Sequence, residues 1–318
     1  MKRFLVKVFC FFSVFIATAY LLNYMTDNGL RKSRGYLFAQ WSDIYNSAIN
    51  ADVLITGSSR AFVMISPKIL DSTLHTNSYN IGMDGWQFNM QYARFKIYLQ
   101  HNKKPRYVIQ SIDNHFFEDR TDLYHYEQFI PYLHDTVLRR VTNEYTGHFT
   151  IPELYFPLFK YNAHAGLIKE GLTNFFGLQK KDRDICYKGY CPKYSSWDSS
   201  FSRLKKAHPE GVYDSIIKNR IYQFDEYLGY CKANNIRVIF AFVPVYFEEL
   251  QMEKSNHDVI RLFTFFAEKY NIPFLDYTHD SLCYEKKYFY NSQHLNAEGA
   301  ELFTKHLAYD LGLCISNN

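Results

Sequence analysis

The sequence predicts an α/β fold, in which helices cover both faces of a central parallel sheet of about five strands. Five short apolar runs have the length of strands, and segments of helical length separate them. Strands and helices that alternate in this way form a three-layer α/β/α sandwich. The 318 residues are 47% hydrophobic and carry a net charge of +4. This composition excludes a disordered chain, and the small net charge predicts no nucleic-acid partner.

The predicted strands end near glycine or polar residues, as buried strands do where they enter turns. Asn296 is the predicted N-cap of a final helix that has Glu298 in its first turn. The segment 122–209 breaks the alternation. It is rich in Tyr, Phe, Pro and His, and we expect an irregular inserted cap or loop region there. The predicted strands are 52–56, 78–81, 106–112, 236–243 and 272–275, and the predicted helices are 86–99, 213–234, 259–270 and a last one through 300–311.

The amino terminus predicts export. Three basic residues precede an uncharged, mostly apolar segment from Val8 to Met25, whose length lies between a signal-peptide core and a spanning helix of about 20 residues. Ala17-Thr18-Ala19 offers a cleavage site, and without cleavage the same segment anchors the chain in a membrane. We therefore expect a periplasmic or cell-surface protein with a signal peptide or anchor (1–25), a linker with a helix (26–50) and one α/β domain (51–318).

The cysteines and histidines give no metal-binding pattern. Cys186 and Cys191 bracket four residues. They could close a disulfide in an oxidising compartment, whereas a zinc site would need a second half. His115, His125 and His134 are ten and nine residues apart, which matches no helical or zinc spacing. We predict no metal and no cofactor.

Glycines and polar residues follow the first three predicted strands. Gly57-Ser58-Ser59-Arg60 comes after the first strand, Asn80 to Gly85 after the second and Asp113-Asn114 after the third. A fourth group, Asn291 to His294, precedes the final helix. In an open parallel sheet, ligands bind at the carboxyl ends of the strands. We therefore expect these four groups to form one site.

The order Ser, Gly, Asn, His in these groups resembles the SGNH (GDSL-like) hydrolase superfamily, which has a flavodoxin-like sandwich of the predicted kind. The resemblance covers 52–114 and 236–311. It implies that Ser59 is the nucleophile and His294 the general base. It also implies an oxyanion hole formed by the backbone N–H groups of Ser59 and Gly85 and the side-chain amide of Asn114.

Two groups depart from the superfamily pattern. The usual Asp-x-x-His reads Asn291-x-x-His294 here, so that Asn291 would orient the imidazole without a charge. Alternatively, Asp276 or Asp280 takes the place of the missing carboxylate.

The third group departs as well. Gly-x-Asn-Asp becomes Ser111-Ile112-Asp113-Asn114, and we interpret Asn114 as the oxyanion donor and Asp113 as a structural or substrate-binding residue. Arg60 could bind a carboxylate or phosphate of a substrate, or it could pair with Asp84.

The run from His294 to Ala300 and the Gly-Ser-Ser-Arg turn look most like exported subfamilies that modify cell-envelope glycans, including relatives of alginate O-acetylation and teichoic-acid D-alanylation proteins. This resemblance implies a serine esterase or O-acyltransferase for acyl esters, with acetyl as the expected group. The substrate would be a glycan or an acylated small molecule. The partners would be a membrane, through an uncleaved amino terminus, and a membrane acyl-donor protein. Two alternatives stay open: a catalytically degenerate protein of this fold that binds glycan or scaffolds an envelope assembly, and an unrelated exported α/β protein.

Overall fold

The structure is a computed structural model that describes residues 1–162, 164–178 and 186–316. Its helices are α1 (Lys2–Leu30), α2 (Ala39–Tyr45), α3 (Ser59–Met64), α4 (Pro67–Leu74), α5 (Phe88–His101), α6 (Thr136–Thr142), α7 (Ile151–Tyr155), α8 (Ala165–Phe175), α9 (Ser200–Ala207), α10 (Lys218–Ala233), α11 (Phe247–Met252), α12 (Asn256–Tyr270) and α13 (Ala297–Ser316). Its strands are β1 (Val53–Thr56), β2 (Ser78–Asn80), β3 (Tyr107–Ile112), β4 (Arg237–Phe242), β5 (Phe274–Asp276), β6 (Phe289–Asn291) and β7 (His294–Leu295). Short 3₁₀ helices span Tyr126–Tyr132, Phe159–Tyr161, Ser281–Tyr284 and Lys286–Tyr288.

Strands β1 to β5 form one parallel sheet in the order β2-β1-β3-β4-β5. Val53 of β1 is in register with Ser78 of β2 and Tyr107 of β3, and Phe240 of β4 is in register with Phe274 of β5. All residues of β1 and β3 are buried, which explains why these strands are nearly continuous apolar runs. The predicted five-stranded parallel sheet is confirmed.

Helices pack on both faces of this sheet. On β4, Ile239 belongs to the core that includes residues of α3, α4 and α13. Its neighbour Phe240 packs against Phe224 of α10 and Phe263 of α12. Successive side chains of a strand point to opposite faces, so that these contacts define the two helical layers of the predicted sandwich.

Helix α13 begins at the predicted position. The side-chain Oδ1 of Asn296 accepts a hydrogen bond from the backbone N–H of Gly299 at 3.0 Å. An N-cap side chain satisfies one of the first backbone donors of a helix in this way. The predicted cap is therefore confirmed, and it fixes the chain directly after β7, the strand that contains His294.

The chain forms two compact units, of which one contains Met1–Asn46 and Thr121–Asp184 and the other Ser47–Arg120 and Ile185–Asn318. The five-stranded sheet lies in the second unit. The predicted insert 122–209 is thus divided, because its described residues from 186 onward belong to the unit that contains the sheet. In that part, a disulfide joins Cys186 and Cys191, which is the first of the two alternatives that the sequence left open.

In the first unit, the carboxyl end of α1 packs closely against α8. A Cβ on Gly29 would lie 1.7 Å from the carbonyl oxygen of Gly171, so that only glycine permits this approach. Asp27 pairs with Lys160 at 2.8 Å and accepts a hydrogen bond from the Tyr161 hydroxyl. Within the described residues, α1 is also the one helix whose length and apolar composition would allow it to cross a membrane. It is compatible with a signal peptide or with an anchor.

Candidate active site

The turn after β1 places two adjacent serines at the carboxyl edge of the sheet. Gly57 has φ +147°, and a Cβ there would lie 2.7 Å from the Ser111 side chain and 2.8 Å from that of Ala61. Glycine is therefore required at this position. Ser58 is the N-cap of α3, and Ser59 is the first residue of that helix. The glycine turn thus positions the Ser59 hydroxyl.

The structure brings Ser59 and His294 together although 235 residues separate them in the sequence. Ser59 Oγ lies 2.8 Å from Nε2 of His294. His294 in turn has its Nδ1 2.9 Å from Oδ1 of Asn291. The short antiparallel pair of β6 and β7 places Asn291 opposite His294. These three residues form a hydrogen-bonded chain in which a histidine could accept the proton of a serine while a third side chain orients the ring.

The contacts of Asn291 fix the tautomer of His294. Oδ1 of Asn291 also accepts a hydrogen bond from the backbone N–H of Gln293 at 3.0 Å. Because a backbone N–H can only donate, the amide oxygen of Asn291, and not its NH₂ group, must face Gln293. The same oxygen faces Nδ1 of His294, so that Nδ1 carries the proton and Nε2 is free to accept the proton of Ser59. Asn291 therefore supplies the orienting function of an aspartate without its charge.

His294 is in an environment that disfavours the imidazolium. Burial, followed by the positive charges of Arg60, His115 and Lys193, lowers the pKa of His294 to about 3. The ring also stacks on Tyr290, with the ring centroids 5.3 Å apart. Asp276 and Asp280 do not replace the missing carboxylate, because they accept hydrogen bonds from the turn amides of Thr278 and Leu282 instead. His294 is thus neutral at pH 7 but weakly basic.

Two of the predicted oxyanion donors are backbone N–H groups close to Ser59. Gly85 has φ +74° and lines the same pocket as Ser59. Among the described residues, neither the N–H of Gly85 nor that of Ser59 donates a hydrogen bond. Asn114, the third predicted donor, is 1% exposed, and its amide has no partner in the described part of the chain. It does not line that pocket, so that the described residues give its predicted role as a donor no support.

Asp113 connects two turns at the site, which agrees with the structural role that the sequence offered as one of two alternatives. Its Oδ2 accepts a hydrogen bond from the Ser58 hydroxyl at 2.6 Å, and its Oδ1 accepts the backbone N–H of His115 at 3.0 Å. These bonds tie the turn after β1 to the turn after β3. Ser58, which no motif singled out, is therefore a bridging residue beside the candidate nucleophile.

A pocket of about 150 Å³ opens at Ser59. This volume corresponds to about five water molecules and suits a small acyl group. The pocket is lined by Ser58, Ser59, Arg60, Gly85, Trp86, Gln87, Gln91, Asp113, His115, Phe116, Arg120 and Gln293.

A second histidine with acidic neighbours lies at the same pocket. Nδ1 of His115 is 3.1 Å from a carboxylate oxygen of Glu118 and 3.1 Å from one of Asp214. Burial alone would lower the pKa of His115, but its hydrogen bonds to Asp214 and Glu118 raise that pKa well above the ordinary value. Burial also raises the pKa of the nearby Glu253 to about 8.

Ligand atoms of His115, Glu118 and Asp214 lie within 4.8 Å of one another, an arrangement that could hold a metal ion. A metal would need a neutral imidazole, whereas these carboxylates favour a protonated one. The sequence predicted no role for His115, which is one of three histidines whose spacing matches no metal site. It gave no indication of Asp214 or Glu253, which come from distant loops.

Known proteins resemble this chain in structure rather than in sequence. The sequence matches no protein-family model and no curated protein. Among solved structures, it resembles a "putative acylhydrolase" of Bacteroides fragilis, with 14% identity and a TM-score of 0.36 over 82% of this chain and 87% of that one. It also resembles a GDSL-like lipase of Bacteroides thetaiotaomicron, with 14% identity and a TM-score of 0.36 over 87% of this chain and all of that one. At these values, the interpretation of the site depends on its own geometry.

Proposed function

We propose that this protein is a serine esterase or O-acyltransferase of the SGNH (GDSL-like) type, with Ser59 as nucleophile and His294 as general base. One observation carries the proposal: the continuous hydrogen-bonded chain from Ser59 Oγ through His294 to Asn291, with distances of 2.8 and 2.9 Å. A serine hydroxyl becomes nucleophilic when a base within hydrogen-bond reach accepts its proton.

The residues would act in two steps. Nε2 of His294 takes the proton of Ser59 while Oγ bonds to the acyl carbon, and the N–H groups of Ser59 and Gly85 stabilise the oxyanion. The carbon–oxygen bond to the leaving alcohol then breaks, and His294 returns the proton to that alcohol. Water or an acceptor hydroxyl next attacks the acyl-serine by the reverse sequence. Hydrolysis and acyl transfer differ only in this second nucleophile.

We further propose that the protein acts outside the cytoplasm on acylated envelope glycans or their small analogues. The apolar helix α1 supports export, through a signal peptide or as an anchor. The disulfide between Cys186 and Cys191 supports an oxidising compartment. The pocket of about 150 Å³ supports a small acyl group such as acetyl. A membrane acyl-donor protein would be the partner of an O-acyltransferase.

The test compares the two adjacent serines in the full chain, purified in detergent. We expect a fluorophosphonate probe to label the wild-type protein and the variant Ser58→Ala, but not Ser59→Ala. Hydrolysis of 4-nitrophenyl acetate should follow the same pattern, because only Ser59 of the two serines contacts the imidazole of His294, whereas Ser58 contacts the structural carboxylate of Asp113. Labelling of Ser59→Ala equal to that of the wild type would contradict the proposal.

A second candidate is a catalytically inactive protein of the same fold that binds glycan. The neutral Asn291 favours it, since the described residues place no carboxylate beside Nδ1 of His294 to stabilise an imidazolium. This candidate predicts that Ser59 reacts no faster with the probe than a denatured control does. It also predicts binding of an acetylated oligosaccharide that is equal in wild type and Ser59→Ala.

A further inference from the structure

Within the part of the chain that the structure describes, Arg60, next to Ser59, is a buried cation without a partner. It follows the candidate nucleophile in α3 and is 2% exposed. Neither Nη atom of its guanidinium has a hydrogen-bond partner, and within the described residues it pairs with neither Asp84 nor any other carboxylate. A guanidinium does not lose its proton at accessible pH, and proteins rarely bury such a charge without a counterion. This arrangement indicates that the counterion is part of a ligand.

The other charged groups of the pocket already have partners. His115 lies beside Glu118 and Asp214, and Arg120 donates to the carbonyl oxygen of Gly85 at 3.2 Å. Asp113 accepts two hydrogen bonds from the neighbouring turns. Among the basic residues that line this pocket, Arg60 is therefore the one that is available to bind an anion.

We propose that Arg60 forms an anion subsite, so that the substrate of Ser59 carries a small anionic group, carboxylate or phosphate, close to its ester. This proposal rests on the proposed function. The planar guanidinium can bind either group through two parallel hydrogen bonds. Because Arg60 and Ser59 are adjacent and line one pocket of about 150 Å³, an anion bound to Arg60 would lie close to the ester at Ser59. The anion and the ester belong to one small molecule or to one sugar unit.

Charge balance supports the same proposal. The charge of Arg60 is one of the causes that lower the pKa of His294. An anion bound to Arg60 would offset this charge and would make His294 a stronger base while the substrate is present. The missing aspartate would then be compensated in part by the substrate.

The test uses pairs of esters that differ in charge. On the acyl side, 4-nitrophenyl hydrogen succinate is compared with 4-nitrophenyl butyrate. On the alcohol side, 2-acetoxypropanoate is compared with its methyl ester, and 2-acetoxyethyl phosphate with 2-acetoxyethanol. We expect wild type to prefer the anionic member of at least one pair by tenfold or more in kcat/KM. In Arg60→Met this ratio should fall to near one, and Arg60→Lys should restore part of it.

The matched control is Arg261→Met, which removes an arginine whose side chain is 72% exposed and should keep the wild-type ratio. Equal turnover within every pair, or a preference that survives in Arg60→Met, would overturn the proposal. The ester pair that shows the preference identifies whether the anion is on the acyl or the alcohol part of the substrate, and whether it is a carboxylate or a phosphate.

Two further measurements separate this proposal from the proposed function. If no ester is hydrolysed, calorimetric binding of 2-acetoxypropanoate and 2-acetoxyethyl phosphate to Ser59→Ala still tests the subsite. Binding that Arg60→Met abolishes would support the subsite, and absence of binding would overturn it. The melting temperature of Arg60→Met without ligand should rise by several degrees (~2–4 °C or more), because a buried unpaired charge is removed. A melting temperature below that of wild type would assign Arg60 a structural role instead.

Discussion

Two histidines lie at the candidate site, and their neighbours give them opposite protonation states. His294 faces the neutral amide of Asn291, and burial lowers its pKa to about 3. His115 faces the carboxylates of Glu118 and Asp214, which raise its pKa despite burial. A general base must be neutral before it can accept a proton. The comparison therefore favours His294 over His115 as the proposed base, because the charge of the neighbouring side chains, rather than the residue type, distinguishes the two histidines.

The largest expected effect comes from replacing each of the two histidines in a separate variant. His294→Gln should lower kcat for acetyl-ester hydrolysis by about 10³- to 10⁶-fold, because the base is removed. His115→Gln should lower it by less than about tenfold, because an imidazolium takes no proton from serine. Steady-state kinetics at pH 7.5 measures both variants. Similar losses in the two variants would remove the distinction between them.

The second effect tests the missing charge beside His294. Asn291→Asp should raise kcat by roughly 10- to 100-fold. The reverse substitution, Asp to Asn, lowers kcat in a serine protease by ~10⁴-fold, partly because it leaves the histidine in the wrong tautomer. We expect a smaller effect here because His294 already has the correct tautomer. The carboxylate should also raise the pKa of His294.

The pH profiles test the same change. Wild-type kcat/KM should stay level from pH 8 down to about 5, because a base with a pKa of about 3 remains neutral there. In Asn291→Asp it should fall below a pKa of about 6–7. An unchanged profile in the variant would show that Asn291 does not act on His294.

A smaller effect tests the acidic partners of His115. Asp214→Asn should lower the pKa of His115, measured by NMR titration of its ring protons, while that of His294 stays low. Since the folded-state pKa of His115 is raised, this group stabilises the fold below its unfolded pKa, and the contribution is lost as pH rises through the folded value. The variant should therefore lose about 1–3 kcal/mol in urea unfolding at pH 6 and less at pH 9. Equal losses at both values would argue against an imidazolium at His115.

The smallest effect concerns Asn114. Its buried amide has no partner in the described residues and does not line the pocket. We expect Asn114→Leu to change kcat by less than about tenfold and to leave the fold equally or more stable, since the unpaired polar group is replaced by an apolar one. A decrease in kcat of about 10²–10³-fold would instead establish Asn114 as an oxyanion donor.

The sequence alone determined the sheet and the edge at which the site lies. Apolar runs of strand length, each followed by glycine or polar residues, are local features, and they placed Ser59, Gly85 and Asn114 after three neighbouring strands. The resemblance in the order of the motifs added His294 and its partner Asn291. The Asn296 cap was also readable, because only three residues separate it from the N–H whose hydrogen bond it accepts.

The tertiary structure decided which polar groups have partners. Whether Arg60 pairs with Asp84, whether Asn114 reaches the pocket and which carboxylates surround His115 depend on loops that are distant in sequence. Asp214 and Glu253 belong to such loops, and no local pattern indicates that they approach His115. Hydrogen bonds and ion pairs form only when two atoms lie within about 3–4 Å, and the sequence does not show such distances. An apolar pattern, in contrast, predicts only that a side chain faces the core. The sequence could therefore predict that Ser59 and His294 lie at one edge of the sheet, and only the packed structure could set the protonation of the histidines and leave the Arg60 guanidinium without a partner among the described residues.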